Sequence, residues 1–172
     1  MLDQALVSFA DLLEDRHTEL HPSTFVFRKP ALIEIRMVCE DVPGGFGEDY
    51  DLLLRAAQRH DIVNLQQPRV VVRWGAQSYF SQRWQTMSAG LTWMLERYPQ
   101  FEDSPRGSAR VHGQIAFAEA AQGNRAKAVS SARAAVRRRW REPRAYLALA
   151  VAIRVISPPR VMRTLHRFGK GI

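Results

Sequence analysis

The chain contains one cysteine in 172 residues, Cys39, which excludes an internal disulfide. No Cys/His run has the spacing of a zinc site, so the lone thiol fits a reducing compartment and reads as a lone small hydrophobe. Long apolar runs are also missing, and none reaches the length of a membrane span. The first residues, MLDQALVSFADLLEDR, are acidic and amphipathic, without the basic start and apolar middle of a secretory signal. A cytoplasmic location is therefore expected. The scarcest feature is acid in the second half. Residues 105–172 hold 15 Lys/Arg against only Glu119 and Glu142, net +13, whereas residues 1–104 hold 10 Lys/Arg and 15 Asp/Glu, net −5. A surface so short of counter-charge is expected to seek phosphate.

With 46% hydrophobic residues the chain is able to bury a core, and its length allows one domain or one and a half. Leu2, Ala5, Leu6, Phe9, Leu12 and Leu13 fall at helical spacing and predict an amphipathic first helix. STFVFR (23–28) reads as a short strand, and Pro30 suits the first turn of a helix over PALIEIRM. CEDVPGGFG (39–47) reads as a loop, after which Tyr50, Leu53, Leu54 and Ala57 line one helix face. DIVNL (61–65) and RVVVRW (69–74) flank Pro68 as two more short strands. A helix over about 80–98 ends at Pro99, and EDSPRGS is a polar connector. Beyond it, helices are expected over 109–122, 125–140, 143–156 and 159–168, from the breaks at Gly123-Asn124, Pro143 and Pro158-Pro159. Ala116, Gly123, Ala128 and Ala135 keep tetratricopeptide-like spacings, in which small residues let two helices approach closely. The fold class is thus α+β, mostly helical.

GGFGEDYDLLLRAA (44–57) puts two adjacent carboxylates, Glu48 and Asp49, in a first helical turn. Three readings compete. Carboxylates there accept unpaired backbone amides and complement the helix dipole, worth about 0.5–2 kcal/mol, which explains them as caps. A phosphate cradle in PGGFG is disfavoured, because two negative charges stand where the anion would sit. As chemistry, a carboxylate at a fixed helix start beside a glycine loop is able to take a proton from an attacking hydroxyl. Asp51 and Arg55, four apart, read as a surface ion pair.

HPSTFVFRKPALIEI, then GFGEDYDLLLRAA, then a strand pair ending VVVRW, resembles the acceptor-binding, C-terminal half of family 2 inverting glycosyltransferases of the GT-A type fold. The likeness spans about residues 20–98. It implies a partial GT-A type α/β domain over 1–104, followed by a basic, tetratricopeptide-like helical tail over 105–172. By this resemblance Asp49 is the catalytic base and Glu48 a supporting acid, in transfer of a sugar from a nucleotide-diphosphate donor to an acceptor hydroxyl with inversion. Arg73 and Trp74 would follow as substrate-binding residues, and His21 either faces a sugar or is an exposed loop residue. The nucleotide-binding half of such enzymes, with its Asp-x-Asp metal pair, has no counterpart here. Asp11, Glu14 and Asp15 lie on an amphipathic helix with no preceding strand, and RWGAQSYF lacks the His that often follows the Arg-bearing strand. No metal or cofactor is therefore expected on this chain. The nucleotide sugar and its Mg or Mn ion belong with the missing half, supplied by a longer product or a partner chain. Alone, the chain reads as truncated and is expected not to turn over.

RAAVRRRWREPR (133–144) admits three readings. A solvated helix face is the commonest outcome. Contact with an anionic membrane surface, near a lipid-linked acceptor, agrees best with the transferase reading and places the protein at the inner face of the membrane. Nucleic acid is disfavoured as a partner, because no recognised nucleic-acid fold contains the run. The alternative to an enzyme is a helical interaction module whose basic tail binds phosphate-bearing partners. His60, His112 and His166 have no partner spacing for metal or catalysis.

Overall fold

The computed structural model describes residues 2–71, 83–167 and 171–172. Among them the chain is mostly helical, with eight α-helices and one two-stranded sheet. In chain order these are β1 (Leu6–Val7), α1 (Phe9–Glu14), α2 (Lys29–Glu34), α3 (Glu48–Ala57), β2 (Ile62–Val63) and α4 (Trp84–Arg97). After them come α5 (Pro105–Ala121), α6 (Arg125–Arg138), α7 (Pro143–Ala152) and α8 (Pro158–Arg167).

The amphipathic first helix is shorter than its spacing predicts. Ser8 stops it from beginning earlier: its Oγ accepts the Asp11 amide at 3.2 Å, while the Asp11 carboxylate accepts the Ser8 amide at 2.9 Å. This reciprocal cap satisfies amides that a continued helix would have used, and it leaves Leu6 and Val7 to pair antiparallel with Val63 and Ile62. The DIVNL strand is thus present as two residues. The strand expected over 23–28 is not formed. Pro22–Thr24 is a 3-10 turn, Val26 is exposed, and no neighbouring chain offers the hydrogen-bond ladder that an isolated strand needs. Residues 69–71 likewise form no strand, and the rest of RVVVRW lies outside the described residues.

The helical half begins earlier than the connector EDSPRGS implied. Ser104 accepts the Gly107 amide at 3.2 Å and Pro105 occupies the first turn, so α5 starts inside that segment. α7 is also shorter than expected, ending at Ala152, after which Arg154 adopts a left-handed φ of 63°.

Two hydrophobic clusters share α5. Val111, Ile115 and Ala118 join Leu12, Leu54, Met94 and Phe101 in the first, while Ala116, Phe117 and Ala120 join the alanines of α6 and α7 in the second. Ala116, Ala128 and Ala135, three of the tetratricopeptide-spaced positions, are fully buried there. The fourth, Gly123, makes the left-handed turn between α5 and α6. Small side chains let these helices pack at short interaxial distance, and Trp84 bridges the clusters by meeting the Phe117 ring edge-on at 5.5 Å.

Candidate functional site

The glycine loop and α3 form the site that sequence reasoning singled out. Gly44, Gly45 and Gly47 all have positive φ, from 59° to 94°, which residues with a Cβ adopt only at a cost. The loop is held against α4: a Cβ on Gly44 would lie 2.4 Å from Thr86 Cγ2, and one on Gly90 would lie 2.5 Å from the Phe46 carbonyl. Gly47 is the N-cap residue, so no side chain caps this helix from outside. Glu48 and Asp49 occupy the next two positions. The Asp49 carboxylate accepts the Tyr50 amide at 2.9 Å, whereas Glu48 is exposed. The capping role therefore falls to Asp49 alone.

Asp49 has a second partner that no spacing in the sequence announced. Arg16, in the segment after α1, places Nη2 at 2.7 and 2.8 Å from the two Asp49 oxygens. Both side chains keep some solvent contact, 31% for Arg16 and 23% for Asp49. The same guanidinium lies over the Phe46 ring at 6.0 Å and the Tyr50 ring at 5.8 Å, so loop, helix and ion pair meet in one place.

Directly beneath the carboxylates, α3 is anchored by polar groups. Tyr50 donates its hydroxyl to the Leu12 carbonyl and accepts Arg110 Nη2 at 3.2 Å, and burial pushes its phenol pKa up. Asp51 is fully buried, which corrects the expectation of a surface ion pair with Arg55. Its Oδ2 accepts Arg55 Nε at 2.8 Å, and its Oδ1 accepts Tyr98 Oη at 2.6 Å and Arg97 Nε at 3.1 Å. Arg55 also donates to the Ile35 carbonyl, tying α2 to α3. Burial first, and then the Asp51 carboxylate, raise the Tyr98 phenol pKa. Asp51 is flanked by the buried Tyr50, Leu52, Leu53 and Leu54, so it lies within the packed part of the helix.

Of the remaining candidates, only His21 is among the described residues. His21 caps the Pro22–Thr24 turn, its Nδ1 accepting the Ser23 amide at 3.3 Å. Arg73 and Trp74 lie outside the described residues. Among the described residues no group of three or more His, Cys, Asp or Glu side chains is placed to hold a metal ion. No described helix is long and apolar enough to cross a membrane.

The arrangement offers a hydroxyl-bearing ligand one exposed and one half-exposed carboxylate as acceptors, with a guanidinium donor alongside. Comparison of the chain with protein-family models, curated proteins and solved structures found no match.

Proposed function

We propose that the head of α3 is the acceptor side of a sugar-transfer site, with Asp49 as general base and Glu48 as its supporting acid. The observation that carries this reading is the anchoring of α3. Tyr50 and Asp51, immediately after the carboxylate pair, are tied to α1, α5 and the end of α4 by buried and part-buried hydrogen bonds, so Asp49 stands on a fixed helix start. A base held in one geometry lowers the entropic cost of reaching a hydroxyl, and supporting contacts of this kind give a site its positional precision. One guanidinium nitrogen of Arg16, shared between both oxygens, holds the carboxylate and leaves part of it open to solvent. The glycines in front of it pack against Thr86 and Met94, which holds the loop beside the carboxylate.

Transfer from a nucleotide-diphosphate sugar, with inversion at the anomeric carbon, is the reaction this reading assigns. The donor and its Mg or Mn ion would be held by a nucleotide-binding half outside residues 1–172, on the same polypeptide or on a partner. The partial GT-A type architecture of residues 1–104 belongs to the same proposal and rests on the sequence resemblance.

Binding by the chain itself tests the acceptor side. Amide NMR spectra are recorded during titration with a panel of mono- and oligosaccharides. The expected result is a set of shifts confined to Gly45, Gly47, Glu48, Asp49 and Arg16, weakened in Asp49→Asn. Shifts elsewhere, or none with any sugar of the panel, would overturn the assignment.

A further inference from the structure

The two acids of the basic half do not reach its surface. Glu119 accepts Ser88 Oγ at 2.5 Å and Asn124 Nδ2 at 2.8 Å, and Glu142 accepts the Arg144 amide at 3.3 Å. Both are buried. Most of the cations stay outside, Arg110 being the buried exception among the described residues. Among the described residues, Arg125, Lys127, Arg133, Arg137, Arg139 and Arg141 make no ion pair. Four arginines, Arg125, Arg133, Arg137 and Arg138, wall a shallow groove of about 650 Å³ along α6, with Ala126, Val129, Ser130 and Ala134 among its other lining residues. Fourteen residues of helix make it about 20 Å long.

Exposed apolar side chains flank the groove at both ends. Beyond Arg138 stands Trp140, 64% exposed. At the other end Arg125 is shared with a second hollow of about 390 Å³, which Arg154 also lines, and Arg154 is bracketed in sequence by Ile153 and Val155, 69% and 74% exposed. Unpaired cations beside exposed aliphatic and indole side chains suit an interface where phosphate meets acyl chain, and stable anchoring there takes more than one kind of signal. Nucleic acid fits less well. The Arg141 guanidinium lies 4.5 Å over the Trp140 ring and takes one of its two faces, and Ile153 and Val155 offer a base no stacking surface.

We propose that the groove of α6, with Trp140 and the Ile153–Val155 corner at its ends, is a docking surface for an anionic membrane. The surface does not depend on any transfer activity. Each cation near such a bilayer contributes about fivefold to partitioning, and the contribution falls with ionic strength.

The test is co-sedimentation of the full chain with phosphatidylcholine vesicles with and without phosphatidylserine, alongside binding to duplex DNA and single-stranded RNA at the same salt. The paired variant Arg133→Glu with Arg137→Glu changes two exposed side chains, and circular dichroism checks its fold. Expected are retention only on the phosphatidylserine vesicles, release at high salt, and at least about a 25-fold loss in the paired variant. Trp140→Ala weakens retention as well. No retention at low salt would overturn the proposal. So would equal retention of either variant, or tighter binding to nucleic acid than to vesicles.

Discussion

Arg16 and Asp49, 33 positions apart, are joined through one guanidinium nitrogen that contacts both carboxylate oxygens at 2.7 and 2.8 Å. The contact ties the segment after α1 to the head of α3, and it decides how the best candidate base is presented. Its energetic weight is small because both partners keep solvent contact.

Replacing Arg16 with Ala is therefore expected to cost only about 1 kcal/mol, combining a half-exposed ion pair with weak contacts to the Phe46 and Tyr50 rings. Urea denaturation checks it. The midpoint should fall slightly with an unchanged slope, and a double-mutant cycle with Asp49→Ala should give a coupling of about 0.2–1 kcal/mol.

Two positions further along the same helix the balance reverses. Asp51→Ala leaves Arg55 and Arg97 facing a cavity without their carboxylate and takes the acceptor from Tyr98. Removing one partner of a buried network costs about 3–5 kcal/mol, so the melting temperature should drop by on the order of 10 °C. Thermal unfolding followed by circular dichroism measures this.

Two glycines separate crowding from backbone conformation. A Cβ on Gly107 would stand 1.8 Å from the Leu13 carbonyl, so Gly107→Ala forces α1 away from α5 and should cost about 3 kcal/mol or more. Gly123 has open space around it but a φ of +83°. Gly123→Ala should cost about 1–2 kcal/mol from backbone strain alone. Equal losses at the two sites would contradict this division.

His112 gives the helical half a pH dependence. Burial first, then the charge of Arg138, hold its pKa below the ordinary 6.5, so the unfolded chain binds the proton more readily than the folded one. Stability from this residue is complete above about pH 6.5 and is lost as pH falls through the depressed folded value. His112→Gln should flatten the stability profile between about pH 7.5 and 5.5 relative to the parent chain, as read by urea denaturation at several pH values.

Helix content was legible where apolar periodicity met a strong stop, as at Pro99, Gly123 and Pro158. Strand content was not. β-branched runs mark a chain that tolerates extension, but pairing depends on a neighbour, and residues 62–63 found one in 6–7 while 23–28 did not. Capping chemistry was misjudged in both directions: Ser8 and Ser104 set helix starts that periodicity placed elsewhere. At the site, Glu48 and Asp49 stood out because their motif is local. Arg16 and Arg110 did not, since a contact across 33 or 60 positions leaves no trace in spacing. Asp51 was hidden by its own neighbour, because a carboxylate four residues before an arginine reads as a surface pair until the buried surroundings of the helix are seen.

The central claim is that Asp49 removes the acceptor proton. Its most direct test is the rate of sugar transfer by this chain together with the nucleotide-binding half that the proposal calls for, comparing the parent with Asp49→Asn. The account predicts a loss of about 10²- to 10⁴-fold in kcat with donor affinity unchanged. An unchanged kcat in Asp49→Asn would contradict it.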